Sequence, residues 1–92
     1  MPARPMLLLF TQRGCSACAA ARPEFERYKS RNPLQMALEL DADGPWAAQL
    51  FGKRIRSTPL YVLRTHEASE SHEGMMKLDQ LEKWVKASSW EG

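Results

Sequence analysis

The run Met6 to Phe10, "MLLLF", is the feature that most constrains the fold. Five consecutive apolar residues lie between Pro5 and the polar "TQRG", enough for a buried strand and too few for a membrane-spanning helix or a signal-peptide core. A strand that is apolar on both faces has to be central in its sheet and covered on both sides. The rest of the chain must therefore supply helices for both faces. With 43% apolar and 26% charged residues in 92, the composition is that of a globular domain with room for one core. The formal charge is +2, and the basic residues are interleaved with acidic ones, as in "RPEFERYKSR". That pattern calls for no nucleic-acid and no membrane partner. No small-residue cleavage site follows the apolar run, so the expected location is the reducing cytoplasm, where a structural disulfide does not persist.

Strand and helix signals alternate along the chain, without internal repeats or low-complexity tracts. From Ser16 to about Lys29 an alanine run followed by Phe25 and Tyr28 predicts a helix, closed at Asn32-Pro33 because a residue before proline is pushed out of the helical region. "LQMALEL" alternates Leu34, Met36, Leu38 and Leu40 on one face, the strand period, with Gln35, Ala37 and Glu39 on the outer face. "DADGP" then opens a short helix with Pro45 in its first turn and an apolar stripe of Trp46, Ala47, Leu50 and Phe51, ended by Gly52. After "KRIR", the run "TPLYVL" reads as a strand with its proline at the start. "SESHE" fits only as its polar edge partner, in a hairpin through "THEA". Beyond Gly74, residues Leu78, Leu81, Trp84 and Val85 form the apolar face of a last helix, with Lys83 and Lys86 where the helix dipole favours cations. The order β-α-β-α-β-β-α predicts an α/β domain, residues 1–92 with a core at about 5–87, built on a four-stranded mixed sheet flanked by helices. "SSWEG", with Trp90, is a polar tail.

Both cysteines lie in "RGCSACAAARP". Cys15 falls where the first strand has ended and the helix begins, and Cys18 follows one turn later on the same face, a separation at which two sulfurs bridge without rearranging the backbone. The unpaired N–H groups and dipole of the helix N-terminus stabilise a thiolate at Cys15, Arg13 adds to this, and no acid stands between positions 11 and 23 to oppose it. This makes Cys15 the candidate nucleophile and Cys18 the more buried resolving thiol. Two other readings stay open, half of a metal site or a pair of inert buried thiols. Zinc asks for four ligands, and only His66 and His72 remain, six apart. The expectation is no metal, since a CxxC beside a βαβ pattern reads as redox-active.

The chain resembles the thioredoxin superfamily over most of its length, Met6 to about Ala87. Four features in order carry the resemblance: the CxxC opening a helix, Pro23 five residues after the second cysteine, "IRSTP" ahead of the third strand, and Gly74 between hairpin and last helix. It implies a thioredoxin fold of glutaredoxin size, without the N-terminal strand and helix of full thioredoxins, and a cis peptide at Thr58-Pro59 facing the cysteines. Such a bond leaves the Thr58 backbone open to pair with an extended substrate strand. The dipeptide Ser16-Ala17 stands in place of Gly-Pro or Pro-Tyr, Gly14 in place of tryptophan, and Leu9 in place of a buried aspartate. Water or a nearby group then has to assist proton transfer at the resolving thiol.

The implied function is a thiol–disulfide oxidoreductase of electron transport and cell redox homeostasis. Its reaction centre is the redox-active disulfide Cys15–Cys18, with no bound cofactor. Its substrates are disulfide-containing proteins, contacted by Thr58, Pro59, Gly14, Ser16, Ala17, Arg13 and Gly74. Met75, Met76 and Trp46 are further candidate apolar contacts. A thioredoxin reductase-like flavoprotein is the expected electron donor and glutathione the alternative. For glutathione, Gln12 replaces the usual lysine, Thr58-Pro59 supplies a backbone clamp, only Gly74 and a displaced Asp79 remain of the last-helix element, and Arg13, Arg54 or Arg56 are the candidate carboxylate partners. A non-enzymatic binding module that uses the Thr58-Pro59 face is the reading of another class. The expected state is a monomer.

Overall fold

The computed structural model describes residues 5–51, 55–65 and 68–88. Seven elements follow in order: β1 (Met6–Thr11), α1 (Ser16–Arg31), β2 (Met36–Asp41), α2 (Pro45–Phe51), β3 (Leu60–Arg64), β4 (Ser69–Glu73) and α3 (Leu78–Ala87). The order read from the sequence is the order observed. Gly52, Arg54, His66 and Trp90 lie outside the described residues.

The sheet runs β2-β1-β3-β4. β1 pairs parallel with β2, Leu8 opposite Leu38, and antiparallel with β3, Leu8 opposite Val62. β3 and β4 form the antiparallel hairpin, closed by the Thr65 N–H donating to the Ala68 carbonyl at 2.9 Å. Leu7, Leu8, Leu9 and Phe10 are fully buried, as a central strand apolar on both faces requires. On one face of the sheet Leu7, Leu9, Tyr61 and Leu63 pack with Phe25 and Tyr28 of α1 and Leu81 and Val85 of α3. On the other, Leu8, Phe10, Leu60 and Val62 pack with Ala47 of α2 and Ile55.

α1 runs two residues past its expected end. Asn32 caps it, its backbone N–H and Nδ2 both donating to the Tyr28 carbonyl, at 3.0 and 2.9 Å. Pro23 sits inside the helix on its exposed side. The neighbouring Glu24 reaches across to α3, where its Oε1 accepts the Leu78 N–H at 2.9 Å and satisfies one of the open donors of that helix start. Among the described residues no helix is long and apolar enough to cross a membrane.

The expectation for the second strand needs correction. The strand begins at Met36 rather than Leu34, and its covered side is the one expected to face out: Ala37 is buried under α1, while Met36 and Leu38 are 58% and 45% exposed. The cause is position. β2 is an edge strand, and α2, two turns long, reaches Leu40 but leaves Leu38 and Met36 uncovered.

Candidate active site

Thr11 ends β1, and Gly14 turns the chain into α1 with φ +79°, a conformation that residues with a Cβ rarely adopt. Cys15 is the N-cap of α1, with extended φ and ψ of −89° and 107°. Its Sγ accepts the Cys18 backbone N–H at 3.1 Å, so a cysteine takes the capping role that serine or aspartate usually fills. The first turn holds no acidic residue. Cys15 and Cys18 form a disulfide with their Cα atoms 5.2 Å apart; Cys15 is half-buried and Cys18 fully buried. An attacking molecule therefore meets Cys15 first.

The Thr58–Pro59 peptide is cis. Pro59 is fully buried, and the Thr58 carbonyl oxygen lies 3.5 Å from Cys15 Sγ. Gly74, at φ +97°, donates its N–H to the Pro59 carbonyl at 2.9 Å, which fixes the start of β3 beside the end of β4. The ladder between β1 and β3 begins at Phe10 and Leu60, so Thr58 lies beyond it at the rim of the sheet.

The Thr58 hydroxyl donates to Gln12 Oε1 at 3.2 Å, and Gln12 Nε2 donates to the Asp43 carboxylate at 3.1 and 3.3 Å. The loops after β1 and β2 and the loop before β3 are thus joined by one chain of hydrogen bonds around Cys15. Beside Cys15 and Gln12 opens a cavity of about 670 Å³ lined also by Arg13, Ser16, Arg22, Glu39 and Asp41. There the Glu39 carboxylate accepts from Thr11 Oγ1 at 2.9 Å and pairs with Arg22 Nε at 2.8 Å.

Three solved structures share this fold. The thioredoxin of Fasciola hepatica superposes with a TM-score of 0.79 at 17% identity, covering 96% of this chain and 84% of that one. Thioredoxin-2, a component of the malaria parasite protein secretion machinery, gives 0.78 at 19% identity, covering 95% and 85%. Chloroplastic thioredoxin z gives 0.75 at 18% identity, covering 91% and 77%. The chain has the thioredoxin fold. No family model and no curated protein matches its sequence.

Within the thioredoxin fold, Cys15, Thr58, Pro59, Gly14 and Gly74 come together at one end of the sheet, with Arg13, Ser16 and Ala17 exposed around Cys15. Met75 and Met76 do not join them. Met76 is buried in the core, where its N–H donates to the Tyr61 hydroxyl at 3.2 Å, and Met75 packs against the same cluster. Trp46 is 57% exposed at the start of α2, three residues beyond Asp43. The sequence reading missed the roles of Asp43 and Glu39. The signal for Glu39 was present: parallel pairing of the first two strands sets it directly beside Leu9, on the face that carries Thr11.

Proposed function

We propose that the protein is a thiol–disulfide oxidoreductase that reduces disulfide bonds of protein substrates. The observation that carries this reading is the Cys18 N–H donating to Cys15 Sγ at the N-terminus of α1, with a buried partner thiol one turn away. The donor that caps the helix holds negative charge on the same sulfur in the reduced protein.

In the reduced protein the Cys15 thiolate attacks a substrate disulfide. A bond forms between Cys15 Sγ and one substrate sulfur, the substrate S–S bond breaks, and the departing thiolate takes a proton. The Cys18 thiol then loses its proton and attacks Cys15 Sγ. The second substrate thiol leaves, and the Cys15–Cys18 disulfide seen here is the product. Two electrons pass from the protein to the substrate. The Thr58 carbonyl, beyond the sheet ladder and 3.5 Å from Cys15, offers an extended substrate a backbone acceptor beside the reacting sulfur. A flavoprotein dithiol recharges the protein in the reducing cytoplasm; the hydrogen-bonded Gln12 supports this over glutathione, because it leaves no lysine at that position to bind a carboxylate.

Insulin reduction by dithiothreitol tests the reading. Wild type accelerates it and Cys15→Ser does not, whereas equal rates for the two contradict an enzymatic role and leave a binding module. Cys18→Ser accumulates mixed disulfides on Cys15, and their absence reverses the two roles. Turnover with thioredoxin reductase and NADPH, compared with glutathione and its reductase, decides the donor.

A further inference from the structure

In place of the monomer expected from the sequence, we propose that the protein forms a symmetric dimer through the outer edge of β2, which no described strand pairs, running antiparallel to β2 of a second copy about a twofold axis at Leu38. This does not rest on the redox reading.

Exposed large apolar side chains cluster around this edge. Met36 and Leu38 stand on one face of β2, and Trp46 belongs to the helix packed on the same face. The backbone phase suits pairing. Ala42 donates its N–H to the Thr11 carbonyl of β1 at 2.8 Å, so in the parallel ladder the even-numbered residues turn their N–H and C=O groups inward. Ala37 and Glu39 turn theirs outward, away from β1. With the axis at Leu38, Ala37 of each copy exchanges two main-chain bonds with Glu39 of the other. Leu38 faces Leu38, and Met36 faces Leu40, which joins the two exposed rows into one apolar strip.

Charge and overlap select the register, and the apolar row selects the strand. Moving the axis to Glu39 sets Glu39 against Glu39, and like charges directly opposite are destabilising. Moving it to Ala37 shortens the overlap to Met36–Leu38. The other edge strand of the described sheet, β4, carries only Ser, Glu and His side chains, so self-pairing there joins no apolar row. Each Glu39 side chain keeps Arg22 as its counter-charge. Pairing of the strands with their apolar strip covers roughly 1,000 Å² in total, the lower end of specific interfaces, so the dimer is reversible. Antiparallel pairing points the two Cys15 sites to opposite ends of an eight-stranded sheet, each open to substrate.

Sedimentation equilibrium of the full chain tests this. Wild type is expected to rise from 10.5 kDa at low micromolar concentration toward twice that mass at about 0.5 mM, while Leu38→Lys stays at 10.5 kDa and retains insulin reduction. A second variant reads the register. In a Cys15→Ser, Cys18→Ser background, Leu38→Cys places two Cα atoms about 4.5 Å apart across the axis, within disulfide range, and an oxidant converts it to a covalent dimer while Ser71→Cys on β4 stays single. Wild type remaining at 10.5 kDa throughout overturns the proposal and leaves the patch to a different protein. A dimer that Leu38→Lys does not weaken, or cross-linking through Ser71→Cys rather than Leu38→Cys, overturns it as well.

Discussion

The two faces of the sheet are finished to different degrees. On the α1 and α3 side two helices of 16 and 10 residues close over Leu7, Leu9, Tyr61 and Leu63, and Phe25 and Leu81 are fully buried between them. On the other side a helix of seven residues covers Leu8, Phe10 and Val62 and stops short of Leu38 and Met36. Both sides hold core: Leu8, Phe10 and Val62 on the open side are as fully buried as Phe25 and Leu81 on the closed one. The open side differs at its β2 edge, where Met36 and Leu38 are left to solvent. Cys15 stands at the end of the sheet between the two, tied through Thr58 and Gln12 to the loop that begins α2.

The sharpest way to break this comparison is truncation on the closed side. Phe25→Ala removes a fully buried ring and is expected to cost about 3–5 kcal/mol in urea unfolding, enough to leave a small domain marginal. A loss below about 1 kcal/mol would show that the closed side is not the core.

Tyr61→Phe probes a polar contact within the same cluster. It leaves the buried Met76 N–H without its acceptor, at a cost of about 1–3 kcal/mol at neutral pH. The pH dependence has a definite sign. Burial is the main cause that raises the pKa of Tyr61, helped by the charge of Glu24 and opposed by the Met76 N–H. The folded protein therefore holds the phenolic proton more tightly than the unfolded chain. Its contribution is complete below the ordinary tyrosine value of about 10 and is lost as pH rises through the higher folded value. Burial also raises the pKa of Tyr28, so part of the alkaline loss remains in Tyr61→Phe. Unfolding midpoints from pH 9 to about 11.5 should fall less steeply for the variant than for wild type.

The smallest effect is expected on the open side. Leu38→Ala, measured at concentrations that hold the protein as a monomer, is predicted to cost about 1 kcal/mol or less because the side chain is already half in solvent. A loss as large as that of Phe25→Ala would mean that the β2 edge is packed as tightly as the closed side.

How far the sequence foretold this structure differs by element. β1 was legible because a run apolar on both faces has only one place in a mixed sheet, and β4 because "SESHE" could only be an edge. The cysteine bridge and the cis peptide could be anticipated because the CxxC spacing and Thr58-Pro59 are each short signals that can be recognised before the fold brings them together. β2 was misread for a physical reason: alternation shows which side chains share a face but not which face is covered, and that is decided by the lengths of α1 and α2. Glu39 and Asp43 were missed because their partners, Thr11, Arg22 and Gln12, lie 17 to 31 positions away and meet them only once β1 and β2 are paired.

The central claim is that the sulfur at the N-cap of α1 reacts first. Alkylation of the reduced protein by iodoacetamide across pH, with the labelled cysteine identified by mass spectrometry, tests it most directly. The prediction is that Cys15 is labelled before Cys18 at every pH. Labelling of Cys18 first, or of both at the same rate, would contradict it.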